Sequence, residues 1–315
     1  MSVLALIRAP EAQEKIVVAY SGVSAFQGPL WAFVESKKFS KYGLTPEVVL
    51  INGGTQSMQA LLSNSVQFAL GSATPAISVR LQGGNVAVIG AALNKFPYSL
   101  VAQKEIDKPS KLVGKKIGIV NFGGSNDLAI GLALKEWGLS RQAVTLLRSG
   151  DTGSRFIALS NKVIDATLLS EPFTSEAKRL GFNILAHMGD MEASFPMTVV
   201  VVNRFFLEQR RSIVKQFMRG YSEAVYDLMH SKELGMRIFG KYLKQQDPKI
   251  LEETYDDIAG KFSFPPRINR DGMRNALSLV SQSSTSVKAP GLDQFVDESV
   301  INELEREGFF KTTRK

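Results

Sequence analysis

The sequence predicts an α/β protein of two similar lobes, each with a mainly parallel central sheet flanked by helices, joined by two crossover segments. Two observations predict it. First, the chain repeats itself at an offset of 97 residues: Thr55 matches Thr152, Ser57 matches Ser154, and Leu62-Ser63-Asn64 matches Leu159-Ser160-Asn161. Val66, Ala69 and Pro75 then match Val163, Ala166 and Pro172 without a gap. Second, strand patterns alternate with helical patterns in both halves, the order that right-handed crossovers turn into a parallel sheet.

The first strands are residues 15–20 (KIVVAY) and 116–120 (KIGIV), each followed by a polar Gly/Ser loop and a helical pattern. Both helical patterns close on a glycine, at Tyr42-Gly43-Leu44 and Trp137-Gly138-Leu139, where a left-handed cap carries no Cβ penalty. Second strands follow at 47–51 and 143–147. Each leads through a Gly/Thr turn into a short helix, a third strand (66–70; 163–169) and a proline-marked turn. Strand patterns at 86–93 and 99–103 flank 94–98 (NKFPY), the expected first crossover. A second is expected near 197–203 (MTVVVVN), an apolar run suited to a strand covered on both faces. From Phe205 onward the pattern is helical, with Ile213, Phe217, Val225 and Leu228 on one stripe and further amphipathic helices from Pro248 and Asn269. These helices are expected to pack on lobe one. The division expected is a leader at 1–13, lobe one at 14–94 plus 197–315, and lobe two at 95–196.

At 315 residues and 44% hydrophobic content the chain supplies a core for each lobe. Cysteine is absent, which excludes disulfides, thiolate metal sites, cysteine nucleophiles and a lipid anchor on an N-terminal cysteine. The net charge of +8 is spread among acids on surface-like helices, so it reads as solvated faces, and no nucleic-acid partner is expected. No apolar run approaches the roughly 18 residues that span a bilayer. Residues 1–13 (MSVLALIRAPEAQ) read either as the tail of a secretory signal lacking its basic start or as a disordered leader.

Ligands of open parallel sheets bind beyond the carboxyl ends of the strands, where helix N-termini present free N–H groups and the positive dipole end. In the first unit those loops hold Ser21, Gly22, Ser24, Phe26 and Gln27, then Gly53, Gly54, Thr55 and Gln56, then Gly71, Ser72 and Thr74. Thr74 is expected to cap a helix that opens on Pro75. In the second unit they hold Asn121, Gly123, Gly124, Ser125 and Asn126, then Gly150, Asp151 and Thr152, then Ser170 and Glu171. Any one of these hydroxyls serves equally well as an ordinary cap, so the case is collective. The lobe-one loops contain no Lys or Arg, so an anion there would be held by dipoles and hydrogen bonds. Arg148 and Arg155 read as rim or surface-pairing residues. Phe26 either stacks on an organic ligand or packs into the core. Glu171 either accepts a hydrogen bond from an amine, amide or hydroxyl of the ligand, or pairs with a base of its own lobe.

Enzyme signatures fail individually. Gly114-Lys115 has Pro109 where a phosphate loop needs glycine, and 118–124 does not match the dinucleotide fingerprint. His187 and His230 read as structural, which leaves no histidine triad or metal site. No catalytic residue, metal or cofactor is expected.

Taken together, KIVVAYS, FSKYGL, INGGTQSMQALLSN, FALGSATPA, GKKIGIVNFGGSNDLA and LLSEPF, over residues 15–243, resemble the NMT1/THI5-like periplasmic binding proteins. That family serves uptake of nitrate, sulfonates, taurine and thiamine-pyrimidine precursors. The resemblance implies an exported, periplasmic monomer with an interlobe cleft, hinge closure and a partner permease with its ATPase. The ligand, a small polar or anionic organic molecule, would be contacted by Ser24, Phe26, Gln27, Gly54, Thr55, Gln56, Ser72, Thr74, Gly124, Ser125, Asn126, Thr152 and Glu171. Many relatives carry an aromatic residue and Asp before the proline corresponding to Pro172; Ser170 and Glu171 stand here, a departure that bears on whether their ligand class carries over. Eukaryotic pyrimidine synthases of the same superfamily carry a cysteine-rich motif this chain cannot supply. The alternative is a lyase or dehydratase on the same fold, as in the menaquinone pathway, using Glu171 or Asp151 as acid or base.

Overall fold

The computed structural model describes residues 13–191, 194–282 and 291–314. The expected leader therefore lies, at residues 1–12, outside the described residues. The first unit runs β1 (Glu14–Tyr20), α1 (Gly28–Glu35), β2 (Leu44–Leu50), α2 (Gly54–Leu62), β3 (Phe68–Gly71), α3 (Ala73–Leu81) and β4 (Val86–Leu93). The chain crosses over and continues as β5 (Ser99–Ala102), β6 (Lys116–Ile119), α4 (Ser125–Glu136), β7 (Thr145–Arg148), α5 (Thr152–Ser160), β8 (Ala166–Leu169), α6 (Phe173–Arg179) and β9 (Asn183–His187). It returns as β10 (Thr198–Asn203), followed by α7 (Arg204–Gln209), α8 (Arg211–His230), α9 (Lys232–Leu243), α10 (Pro248–Ile258), α11 (Arg270–Gln282), α12 (Ser299–Arg306) and α13 (Phe309–Thr313).

These strands form two five-stranded sheets, ordered β2-β1-β3-β10-β4 and β7-β6-β8-β5-β9. In the first, β1 pairs parallel with β2 and β3, while β10 runs antiparallel to both β3 and β4. In the second, β6 pairs parallel with β7 and β8, while β5 runs antiparallel to β8 and β9. Each sheet is thus mainly parallel, and its one reversed strand is the strand the chain enters on crossing over. Every residue of β4 and β10 is buried, which explains the apolar run of β4 and the four consecutive valines of β10.

Gly43 and Gly138 take the left-handed conformation expected of them, at φ +67° and +68°. Gly53 and Gly150, equivalent in the repeat, also share positive φ. The helices that follow are out of step by one residue: α2 begins directly after Gly53, whereas Asp151 caps α5 by accepting the Ser154 N–H at 2.9 Å. Thr74 does not cap α3. The helix opens at Ala73, two residues before Pro75, with Ser72 at the N-cap position, and the carbonyl of Pro196 on the returning crossover accepts the Ala73 N–H at 3.1 Å.

The C-terminal helices pack on the first sheet. Ile213, Phe217, Val225 and Leu228 of α8 are buried, and Phe217 stacks on Phe68 of β3 at 3.9 Å between centroids. Gly220 permits this approach, since a Cβ there would sit 2.6 Å from Phe33 of α1. No helix among the described residues is long and apolar enough to cross a membrane.

Candidate functional site

The loops at the carboxyl ends of the two sheets touch. Ser24, after β1, is 3% exposed and its Oγ lies 2.6 Å from Ser170 Oγ, after β8. The Ala25 N–H donates to the Glu171 carbonyl at 3.4 Å, and the Ser24 hydroxyl reaches the same oxygen at 3.4 Å. Phe26, half-buried, meets the ring of Tyr98, on the first crossover, edge to face at 6.4 Å. Its carbonyl accepts the Thr198 hydroxyl at 3.1 Å, tying the loop to the returning strand. Gln27 is fully buried, and neither of its amide atoms has a partner among the described residues.

Elsewhere in lobe one, Gly54 opens α2 hard against α3, where a Cβ would come within 2.1 Å of Pro75 Cγ. Between these two helix starts lies a shallow pocket lined by Ser21, Gly54, Ser57, Ser72 and Pro75 among others. Ser72 is half-buried, and Thr74 is 3% exposed with its hydroxyl unpartnered among the described residues. Thr55 and Gln56 are exposed on the first turn of α2 and make no polar contact with the rest of the site among the described residues.

In lobe two, Gly124 stands at the N-cap position of α4, followed by Ser125 and Asn126. Tyr98 Oη lies 3.3 Å from Ser125 Oγ. Asn126 is 2% exposed and its Oδ1 has no partner among the described residues. Asp127 accepts the Gly123 N–H at 2.7 Å and pairs with Arg141, fixing this turn. Arg155 is not a rim residue: it is 1% exposed. Its Nε donates to Thr167 Oγ1 (3.1 Å), Nη1 to the Gly150 carbonyl (2.7 Å), and Nη2 to the Leu168 carbonyl (2.9 Å) and Thr152 Oγ1 (3.4 Å). Burial lowers its pKa to about 10. Arg148 is exposed, as a surface residue.

Glu171 pairs with no base among the described residues. It is 9% exposed, and its carboxylate accepts the Ser175 N–H at the start of α6 at 3.2 Å. Burial foremost, with Asp257 and Glu253 of α10 adding repulsion, raises its pKa to about 7, and the Ser175 contacts oppose the rise. A second seam between the lobes lies beside it. Arg179 of α6 reaches Asp247 at 2.6 Å and Glu253 at 3.2 Å, and Gln245 Nε2 donates to Glu176 at 2.7 Å.

With this geometry in place, residues 36–233 match the profile of the family described as NMT1/THI5 like. The chain belongs to the NMT1/THI5-like family. A Bacillus subtilis (strain 168) protein, YtlA, named as a candidate binding protein, is 23% identical over 98% of this chain and 95% of its own length. The ligand-binding component of an ABC-type import system from Staphylococcus aureus superposes with a TM-score of 0.77 at 19% identity, covering 92% of this chain and 99% of that one. The periplasmic aliphatic sulphonate binding protein SsuA of Escherichia coli does so with a TM-score of 0.74 at 15% identity, covering 90% and 97%. The fold is that of the periplasmic binding proteins.

Within this NMT1/THI5-like chain, the predicted residues Ser24, Phe26 and Glu171 meet at one seam, and Ser125 and Asn126 join it through Tyr98. Thr55 and Gln56 stay apart. Tyr98 and Ser170 were missing from the predicted contacts. Tyr98 carried one signal, its place at the end of the crossover segment NKFPY, which has to pass along the floor between the lobes. The histidines take structural roles: His187 Nδ1 lies 2.9 Å from Ser99 Oγ across β5 and β9, and His230 Nδ1 lies 2.7 Å from the Tyr226 carbonyl.

Proposed function

We propose that this protein is the exported solute-binding component of an ABC uptake system, a monomer that closes its lobes on a small polar or anionic organic molecule. The closed form is what the permease and its ATPase would engage. One observation carries this reading: near the carboxyl ends of both sheets stand deeply buried polar atoms without partners among the described residues, on Gln27 and Thr74 in one lobe and Asn126 in the other. Buried polar groups are normally satisfied, and a ligand with hydrogen-bonding groups would satisfy these. The names borne by the relatives support the same role.

In this mechanism the open form presents two half-sites, and a ligand that bridges them stabilises the closed form through contacts absent from the open one. The Ser24–Ser170 and Ala25–Glu171 contacts require apposed lobes and so belong to the closed form. Native mass spectrometry of freshly purified protein is expected to reveal a bound small molecule. Adding that molecule to stripped protein is expected to raise Tm saturably, with a smaller rise in Asn126→Ala. Finding no bound molecule, together with no Tm response to sulfonates, nitrate, carboxylates or pyrimidines, would exclude the role.

The second reading, a lyase or dehydratase, has the raised pKa of Glu171 in its favour, since a carboxyl poised near neutrality suits acid–base work. Consumption of the bound molecule on incubation, abolished in Glu171→Gln, would favour it over a binding role.

A further inference from the structure

The duplicated units differ at the turn that leads from the second strand into the next helix. At the repeat offset, Asn52-Gly53-Gly54-Thr55 of the first unit stands against Ser149-Gly150-Asp151-Thr152 of the second. Asp151 caps α5 with its carboxylate, whereas no side chain caps α2 among the described residues. Of all the asparagines in the chain, only Asn52 is followed by glycine.

That pair is open to an internal reaction. An asparagine loses its amide when the main-chain nitrogen of the next residue attacks its Cγ, and a glycine there has no side chain to obstruct the approach. Asn52 is exposed, and its amide makes no hydrogen bond among the described residues. The Gly53 N–H has no acceptor among them either, because β2 has ended at Leu50 and α2 begins only at Gly54. A second pair able to close the same ring, Asp271-Gly272, is held differently: the Gly272 N–H donates to Asn269 Oδ1 at 2.8 Å in the first turn of α11.

We propose that Asn52 is a site of spontaneous deamidation, and that the carboxylate it leaves gives α2 the acidic start that α5 has in Asp151. The Gly53 nitrogen bonds to Asn52 Cγ and ammonia departs, leaving a cyclic imide. Water opens that ring at one of its two carbonyls, breaking either the new bond, which restores an ordinary main chain with an aspartyl side chain, or the original peptide bond, which yields isoaspartyl. Nothing is oxidised or reduced. Both products place one negative charge just before α2, where the positive end of the helix favours it. The isoaspartyl form also lengthens the main chain by one methylene, ahead of a helix already pressed against Pro75 at Gly54.

The test holds full-length protein, folded and in urea, at the same mildly alkaline pH and follows tryptic digests by mass spectrometry, with fragmentation that separates aspartyl from isoaspartyl. In folded protein Asn52 is expected to convert before any other asparagine, at a rate within about tenfold of that in the unfolded chain. A slower folded rate means that the turn holds Asn52 closed, and overturns the inference, as does earlier loss at another asparagine. Asn52→Asp, the ordinary product made directly, is expected to melt about 1–3 °C above fresh wild type, and the isoaspartyl fraction below it. An unchanged or lower Tm in Asn52→Asp overturns the role given to the carboxylate. Asn52→Ser, which imports the residue of the second unit, is expected to fold and to keep its Tm through the same incubation; a drift equal to that of wild type places the ageing elsewhere and counts against Asn52.

Discussion

Glu171 shows how a single carboxyl in the seam sets a pH dependence. Its folded pKa of about 7 lies above the ordinary 4.5 because burial penalises the charged form. A raised acid pKa means the native state holds a proton that the unfolded chain has released, so stability is greatest below about 4.5 and is lost as pH rises through about 7. Glu171→Gln removes that proton from the balance. The gap in Tm between Glu171→Gln and wild type is expected to move in favour of the variant as pH rises from 5 to 8, and parallel profiles would contradict it. The sequence placed Glu171 correctly in the loop after β8 but did not show that acids of α10, more than 80 residues on, would face it. Arg155 was misjudged for a related reason. Charged side chains are rarely buried without a charged partner, and nothing in the local sequence shows that the turn at 150–152 and strand β8 together supply it with neutral acceptors.

Helices and strands were the most legible level, because period and glycine position are local properties. Their ends were less so. Thr74 lost its capping role to the Pro196 carbonyl, a contact brought by a strand far along the chain. Gly54 is a second case in which a neighbour decides. In sequence it resembles a simple turn residue, yet it is held by the closeness of Pro75. Gly54→Ala is expected to force α2 off α3 and to cost about 1–3 kcal/mol in urea denaturation. Gly43→Ala meets no neighbour within 4 Å, so it is expected to cost only about 1–2 kcal/mol for its left-handed backbone at φ +67°. A larger loss at Gly43 than at Gly54 would reverse this ranking.

For the whole molecule, the repeat announced two lobes, and the sheets bear that out. The seam from α6 to α9 and α10 had no sequence signature, since its partners lie 68 and 74 residues apart and are ordinary surface charges. Arg179 and its partners are substantially exposed, so Arg179→Ala is expected to change stability by no more than about 1 kcal/mol. Those bonds must break when the lobes part, so ligand release measured by stopped flow is expected to quicken, and more so at low salt. An unchanged release rate would mean the seam does not oppose opening.

The position of β10 carries a consequence for how the chain is made. That strand sits between β3 and β4, and it is reached only after the entire second sheet, β5 to β9, has gone by. As the polypeptide emerges from its N-terminus, lobe two is able to finish while the earlier lobe still waits with two raw strand borders. Those borders are the ready sites for mispairing, and they close only when residues 198–203 arrive. A nascent chain interrupted before that point is left with an adhesive half rather than a smaller stable protein.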